Sequence, residues 1–190
     1  MTSRAESAAA SRRALIDAAT DLLDLGGLEA VTMRAVGARA GMTRGAPYRH
    51  FPDKEGLLIA VGTQAWDRLE KQVRALRADS SLSPAEKLRG VLTALITIGR
   101  SQPHLYQLMF SNPTGDPDAM VRAGQRSHDE FLAIVAALVG EHDAGRYGAL
   151  LIGSAAGITG MEVDGQLGDK WGTSAEELVD TLVAMVANSR

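Results

Sequence analysis

Apolar residues recur along the chain at intervals of three and four positions, and runs that alternate apolar with polar residues are absent. Leu15, Ala19 and Leu22 follow this spacing and predict an amphipathic helix over about residues 11–25. The Gly26-Gly27 pair should end it, because glycine takes the left-handed conformation of helix C-termini at little cost. The same pattern through the rest of the chain predicts an all-α protein of about nine helices.

Residues typical of helix starts mark two of the later helices. Asp53 precedes a broad apolar pattern that predicts a helix over about residues 54–77. Ser83, Pro84 and Glu86 then fall at the N-cap, first and third positions of the next predicted helix. These residue types are favoured at those positions, so three signals agree on where that helix begins.

Residues 32–51 are predicted to form two short helices joined by a tight turn. Thr32 is a good N-cap for the first helix, and Gly41 allows the chain to turn sharply. Thr43 is predicted to cap the second helix, which Pro52 should end. This layout is that of a helix-turn-helix, the motif that places one helix in the DNA major groove. A plain helical hairpin is the alternative interpretation.

The predicted second helix and its surroundings carry side chains suited to DNA. Arg44 lies at the helix start, where an arginine can pair with O6 and N7 of guanine. Hydroxyl, imidazole and ammonium groups nearby suit phosphate oxygens. The residues expected to contact DNA are Thr32, Arg34, Thr43, Arg44, Gly45, Pro47, Tyr48, His50 and Lys54.

Composition is compatible with a globular helical protein that binds nucleic acid. Apolar residues make up 45% of the chain, enough for a sizeable core, and the absence of cysteine excludes disulfides and thiolate chemistry. Residues 1–54 hold 8 basic and 6 acidic residues, and the remainder holds 12 and 17. This difference suits a small DNA-binding module on an acidic body, although so small an excess is also compatible with chance.

Several other classes of protein are disfavoured. The first residues have no apolar core of a secretory signal, and no apolar run approaches the roughly 20 residues of a membrane span. We therefore expect a cytoplasmic protein without a membrane partner. Gly153–Gly157 does not have the spacing of a serine nucleophile elbow, and the histidines are not paired at metal-ligand spacing. We expect no enzyme activity, no metal site and no cofactor.

Some 50 residues match one known family in order and spacing. The matching blocks are Ile16-Asp17-Ala18-Ala19, Leu22-Leu23, Gly26-Gly27, Val31-Thr32-Met33-Arg34, Ala38-Arg39-Ala40-Gly41, Gly45, Tyr48-Arg49-His50-Phe51 and Asp53-Lys54-Glu55-Gly56-Leu57-Leu58. Through them, residues 11–61 resemble the N-terminal domain of the TetR/AcrR family of bacterial transcriptional repressors. Gln102–Phe110 also resembles the C-terminal domain of one TetR subgroup. The resemblance implies a homodimer, an operator of double-stranded DNA and a small-molecule effector.

The resemblance also implies a domain organisation, and the sequence differs from many family members at one position. We expect a flexible arm at residues 1–10, a helix-turn-helix domain at residues 11–53 and a helical ligand-binding and dimerisation domain at residues 54–190. Many relatives carry a hydroxyl or a leucine near position 47, where this chain has Pro47. An apolar ring suits a thymine methyl group, so Pro47 is predicted to change which operator is read.

The last two long helices carry a predicted dimer interface. Small side chains on the helix predicted over residues 143–161 permit close helix approach, and the final helix has an apolar stripe. In the TetR family the last two long helices form a four-helix dimer interface. The resemblance therefore implies that these residues lie in it: Ala149, Gly153, Ala156, Gly160, Leu178, Leu182 and Met185. Packing within one protomer is the alternative.

A ligand pocket is predicted from adaptable and polar side chains on helices of the body. Methionine and aromatic residues commonly line pockets, although ordinary core is the alternative for each residue. The predicted pocket residues are Trp66, Arg100, His104, Met109, Phe110, Met120, His128, Phe131 and Tyr147. We thus expect a repressor that a small-molecule inducer releases from a palindromic operator. The rival is a dimeric small-molecule-binding bundle whose helix-turn-helix no longer binds DNA.

Overall fold

A computed structural model describes residues 3–111 and 117–189 of the protein. Within these ranges the chain forms eight α-helices, a 3₁₀ turn, a π-helical turn and no strand, so the prediction of an all-α protein is confirmed. The α-helices are α1 (Arg4–Ala30), α2 (Met33–Arg39), α3 (Lys54–Ala78), α4 (Pro84–Ser101), α5 (Pro103–Met109), α6 (Asp118–Val139), α7 (Glu141–Val163) and α8 (Ala175–Ala187). The 3₁₀ turn is Pro47–Arg49, and the π-helical turn is Leu167–Trp171.

The chain divides into two compact units. The first consists of Met1–Ala65 with Pro103–Arg122, and the second consists of Trp66–Gln102 with Ala123–Arg190. In the first unit α1 packs against both α2 and α5. This unit therefore extends beyond the predicted DNA-binding segment of residues 11–53.

Helix α1 starts well before the predicted position near Ser11. Its N-cap is Ser3, whose hydroxyl accepts a hydrogen bond from the Glu6 N–H (3.2 Å), while the Ser3 N–H donates to the Glu6 carboxylate (2.6 Å). This reciprocal pair stabilises the first turn. The prediction of an arm over residues 1–10 is therefore wrong from Arg4 onward. The predicted end is confirmed as an interruption, because Gly27 has a φ of 65°.

The predicted helix starts at Asp53 and Ser83 are confirmed. The Asp53 carboxylate accepts a hydrogen bond from the Gly56 N–H at 2.8 Å, at the start of α3. The Ser83 hydroxyl accepts from the Glu86 N–H at 3.3 Å, and the Ser83 N–H donates to the Glu86 carboxylate at 2.7 Å. The Ser83 hydroxyl also donates to that carboxylate, and these hydrogen bonds lower the pKa of Glu86.

The core of the second unit forms where α4 packs against α7 and α8. Leu88 and Leu92 of α4 and Leu151 of α7 are fully buried there. Gly99 of α4 lies so close to Thr159 of α7 that a Cβ atom on the glycine would overlap with the threonine methyl group. The sequence thus permits this close approach only because position 99 has no side chain.

Two ionic contacts join helices of the second unit. The Arg89 Nε of α4 lies 2.5 Å from the Asp180 Oδ1 of α8, and this hydrogen bond lowers the pKa of Asp180. Arg74 of α3 pairs with Glu130 of α6, and it also pairs with Glu70 of its own helix. Glu70 is only 6% exposed, so charged groups occupy part of this helix contact.

Candidate nucleic-acid interface

Helix α2 and the turn after it are formed as the sequence predicts. The Thr32 hydroxyl caps α2 by accepting a hydrogen bond from the Ala35 N–H at 3.1 Å. Met33, Val36 and Gly37 are buried on one face of this helix. Gly41 has a φ of 67°, a conformation that favours glycine, and the chain reverses there.

The predicted second helix of the motif is the principal correction in this segment. The structure has a 3₁₀ turn over Pro47–Arg49 instead of a helix starting after Thr43, and no side chain caps it. The Ala46 N–H donates to the Thr43 carbonyl at 2.9 Å, which closes a shorter turn. Gly45 is a poor helix former and Pro47 has no N–H to donate, so the regular α-helical ladder does not form from Thr43.

Pro47 packs inside the motif and does not face outward. It is buried, and its Cγ lies 3.0 Å from the place that a Cβ on Gly37 would occupy. The glycine of α2 therefore leaves room for the proline ring. The prediction that Pro47 presents an apolar surface to a thymine methyl group is corrected, because a buried ring cannot contact a base.

The other residues predicted to contact DNA are all at least partly accessible. Thr32, Arg34, Thr43, Arg44, Gly45 and Tyr48 are exposed, and His50 and Lys54 are half-buried. The Tyr48 side chain is large and 59% exposed, so it is open to a partner. The Lys54 Nζ already donates to the Leu28 carbonyl at 2.6 Å, which holds the ammonium group near the end of α1.

Arginines without an ion-pair partner are confined to the N-terminal segment of the described chain. They are Arg4, Arg12, Arg13, Arg34, Arg44 and Arg49, all of which are exposed. Beyond this segment, arginines that pair with carboxylates are Arg74, Arg77, Arg89, Arg100, Arg122, Arg126 and Arg146. Unneutralised guanidinium groups attract anions, so this segment has the charge pattern of a phosphate-binding surface.

Sequence reasoning missed the three arginines of α1. Arg4 precedes the predicted helix of residues 11–25, whereas Arg12 and Arg13 lie within it but outside residues 32–54, to which the DNA contacts were assigned. The structure places the Arg12 guanidinium carbon 4.9 Å from the centre of the Phe51 ring. The capping pattern of Ser3 and Glu6 was the sequence signal that could have extended α1 and drawn attention to them.

Most of the residues predicted for the dimer interface are exposed on the surface of the protomer. Ala149, Gly153, Ala156 and Gly160 of α7 are exposed, and a Cβ on either glycine would meet no atom within 4 Å. On α8, Met185 is 66% exposed, while Leu178 and Leu182 are half-buried. The small-residue face of α7 is therefore not used for packing within the described protomer.

The nine residues predicted to line a pocket are divided between the two units. His104, Met109, Phe110 and Met120 belong to the first unit, and Trp66, Arg100, His128, Phe131 and Tyr147 belong to the second. Met109, Met120 and Phe131 are buried, whereas His128 and Phe110 are exposed. The nine residues therefore do not all belong to one unit, and they differ in how far they are buried.

Local contacts already occupy several of these nine side chains. Arg100 donates to the carboxylates of Glu162 (3.1 Å) and Glu176 (3.2 Å). The His104 ring lies within 3.3 to 3.5 Å of the position of a Cβ on Gly27, so it packs on the α1 backbone. Arg100 thus acts as an ionic link and His104 as a packing residue in this structure.

The second unit has a cavity that the sequence did not predict. Its volume is about 210 Å³, and it is lined by Glu162, Gly165, Leu167, Gly168, Thr173, Ser174 and Ala175. None of the predicted pocket residues lines it. It is built by the end of α7, the π-helical turn and the start of α8, so only the folded arrangement brings its walls together.

Residues 3–111 and 117–189 contain neither a metal-binding cluster nor a membrane-spanning helix. No group of three or more histidine, aspartate or glutamate side chains there could hold a metal ion. No helix in these ranges is both long enough and apolar enough to cross a membrane.

Two family profiles match the chain. That of bacterial regulatory proteins, tetR family, matches residues 15–61. That of the tetracyclin repressor-like C-terminal domain matches residues 88–186, which is half of the chain.

Individual proteins show the same likeness. KstR, an HTH-type transcriptional repressor from Rhodococcus jostii (strain RHA1), is 31% identical over 98 residues, which are 52% of this chain and 45% of KstR. The chain thus spans less than half the length of that relative. A solved protein of unknown function from Rhodococcus sp. RHA1 has a TM-score of 0.77 at 23% identity, with 93% of each chain covered. SmeT in complex with triclosan has a TM-score of 0.60 at 23% identity, with 90% of each chain covered.

Proposed function

Because the chain belongs to the TetR family of bacterial regulatory proteins, we propose that it is a DNA-binding transcriptional repressor controlled by a small molecule. The proposed repressor binds a palindromic operator as a homodimer. KstR, with which it shares 31% identity over 98 residues, is an HTH-type transcriptional repressor. An effector would release the dimer from DNA by favouring a conformation with lower DNA affinity.

The observation that carries the proposal is the set of unpaired arginines in the N-terminal segment. Arg34, Arg44 and Arg49 lie within or beside the helix-turn-helix, are exposed and have no ion-pair partner among the described residues. Arginine pairs bidentately with guanine and with phosphate. These three side chains can therefore bind bases or phosphates without first breaking an ion pair within the protein.

Homodimerisation is supported by the uncovered face of α7. Helices that meet through glycine and alanine can approach closely, and a second copy would bury the exposed Leu150 and Met185 as well. A twofold dimer would present two helix-turn-helix motifs to half-sites about 34–36 Å apart, one turn of DNA. A palindromic operator follows from that symmetry.

Control by a small molecule is supported by the fold likeness to SmeT, which is known in complex with triclosan. The profile of the tetracyclin repressor-like C-terminal domain matches residues 88–186 of this chain. The nine residues predicted from the sequence remain a proposal for the effector pocket.

The proposal is tested by selecting bound duplexes from a random DNA library and then measuring affinity for the selected sequence by fluorescence anisotropy. We expect a palindrome to be enriched. Arg44→Ala should weaken binding by roughly 5- to 150-fold, because a bidentate arginine–guanine pair discriminates by about 1–3 kcal/mol. Arg39→Ala is the matched control, since Arg39 is exposed on α2 but already pairs with Asp21 at 2.9 Å.

One observation favours the rival, a small-molecule-binding dimer that does not bind DNA. The recognition segment forms only a three-residue 3₁₀ turn, which is short for a helix that enters the major groove. Failure to enrich any sequence, together with stabilisation of the protein by a compound in a thermal-shift screen, would favour this rival. Enrichment of a palindrome whose binding weakens steeply with salt would exclude it.

A further inference from the structure

We propose that Arg12 of α1 binds a DNA backbone phosphate beside the recognition segment, an inference that rests on the proposed function. Arg12 lies outside the helix-turn-helix in sequence. Its guanidinium carbon is nonetheless 4.9 Å from the ring centre of Phe51. Phe51 directly follows His50, so α1 brings a cation to the end of the recognition segment.

Stacking on Phe51 prepares the guanidinium group for an oxygen ligand. The ring attracts the flat face of the cation, whereas the N–H donors of arginine point outward in the guanidinium plane. Phe51 is only 3% exposed, so the surrounding core holds its ring in place. A stacked arginine loses less conformational entropy on binding than a freely moving one, and its fork matches phosphate oxygens.

Arg12 has no ion-pair partner among the described residues. Several carboxylates of the same unit are engaged with other groups: Glu6 bonds Ser3, Asp21 pairs with Arg39, and Asp53 accepts from Gly56. An anion from outside the protomer is therefore the natural ligand of Arg12. Phosphate contacts commonly fix a protein's register on duplex DNA, and this contact would serve that purpose.

Arg122 provides a matched control in the same compact unit. It carries the same charge and its side chain is 66% exposed, but it already pairs with Asp118 at 3.3 Å. Arg122→Ala changes the net charge as much as Arg12→Ala does, and only Arg12→Ala removes the cation that stacks on Phe51.

The test measures duplex binding of the full chain by fluorescence anisotropy over a series of salt concentrations. The probe is a labelled mixed-sequence duplex of about three helical turns, since phosphate contacts dominate non-specific binding. Arg12→Ala should weaken binding and reduce the slope of log K against log salt by about 0.9 for each bound protomer. Arg122→Ala should keep the wild-type slope. Arg12→Lys should retain the slope but bind more weakly than wild type, because lysine lacks the planar fork.

Thermal unfolding separates phosphate binding from a purely structural role. If Arg12→Ala lowers the melting temperature while the salt slope stays at its wild-type value, the stacked pair only stabilises the fold and this inference is overturned. Equal slopes for Arg12→Ala and Arg122→Ala overturn it too. If the wild-type protein shows no salt-dependent binding to duplex DNA, the proposed function fails as well, which distinguishes the two failures.

Discussion

Basic side chains around the turn differ in whether they already form an ion pair or a hydrogen bond within the protomer. Arg39 pairs with Asp21, and Lys54 donates to the Leu28 carbonyl. Arg34 and Arg44 have no ion-pair partner among the described residues. If Arg34 and Arg44 bind DNA, no ion pair within the protein has to break. These two residues should therefore contribute more to DNA affinity than Arg39 and Lys54.

Pro47 should affect stability and leave operator preference unchanged. Pro47→Thr places a hydroxyl in the buried space beside Gly37, and burying such a group without a partner costs about 1–3 kcal/mol. We expect a lower free energy of unfolding in urea, and the same enriched DNA sequence as wild type in a binding-site selection. A changed sequence preference with unchanged stability would contradict the packing role.

At the scale of helices, the contact between α4 and α7 depends on Gly99. Gly99→Ala should destabilise the protein by about 1–3 kcal/mol, because the new methyl group overlaps with buried Thr159. Gly145→Ala is the control, since a Cβ there meets no atom within 4 Å and alanine favours a helix by roughly 0.5–1 kcal/mol. Urea unfolding of both variants checks this, and equal effects would show that the helices adjust to the added atom.

The contact between α4 and α8 should depend on pH through Asp180. Arg89 lowers the pKa of Asp180, so the carboxylate is easier to ionise in the folded protein than in the unfolded chain. The resulting stabilisation is present above the unfolded pKa of about 3.9 and is lost as the pH falls through the folded value. Asp180→Asn should therefore unfold in less urea than wild type at neutral pH, and the gap should close as the pH falls through the lowered pKa of Asp180. A gap of constant size would show that titration of Asp180 is not its cause.

Helix starts were predictable because their causes lie within four residues of sequence. Thr32, Asp53 and Ser83 each cap the helix that the sequence assigns to them. The recognition segment was not predictable in the same way. There the position of Pro47 depends on the space that Gly37 leaves on another helix, and sequence spacing does not report such a contact.

Only part of the candidate site was predictable, namely the part whose causes lie close together in the sequence. The exposure of Arg34 and Arg44 follows from the apolar face of the motif, which the sequence displays. The position of Arg12 against Phe51 joins residues nearly 40 positions apart, and only the fold brings them together. The residues predicted for a pocket belong to both units and stay a prediction, since methionine and aromatic residues serve equally well as ordinary core.

At the scale of the whole molecule, the uncovered face of α7 should decide the oligomeric state. Gly153→Leu adds a large side chain where a second copy would need to approach closely, so we expect monomers in size-exclusion chromatography with light scattering. Lys71→Leu is the control, because it adds an apolar side chain at an exposed position of α3. A stable dimer of Gly153→Leu would place the interface elsewhere.

The segregation of unpaired arginines also has a consequence for purification. The chain carries a net charge of −3, and a uniformly distributed charge of that sign would let it pass through a heparin column. Its arginines without an ion-pair partner named above instead lie within the first 49 residues, while most later arginines pair with carboxylates. We therefore expect both heparin and an anion exchanger to retain the protein at neutral pH. Heparin is anionic and should bind the unpaired arginines, whereas the cationic exchanger should bind the acidic remainder of the chain.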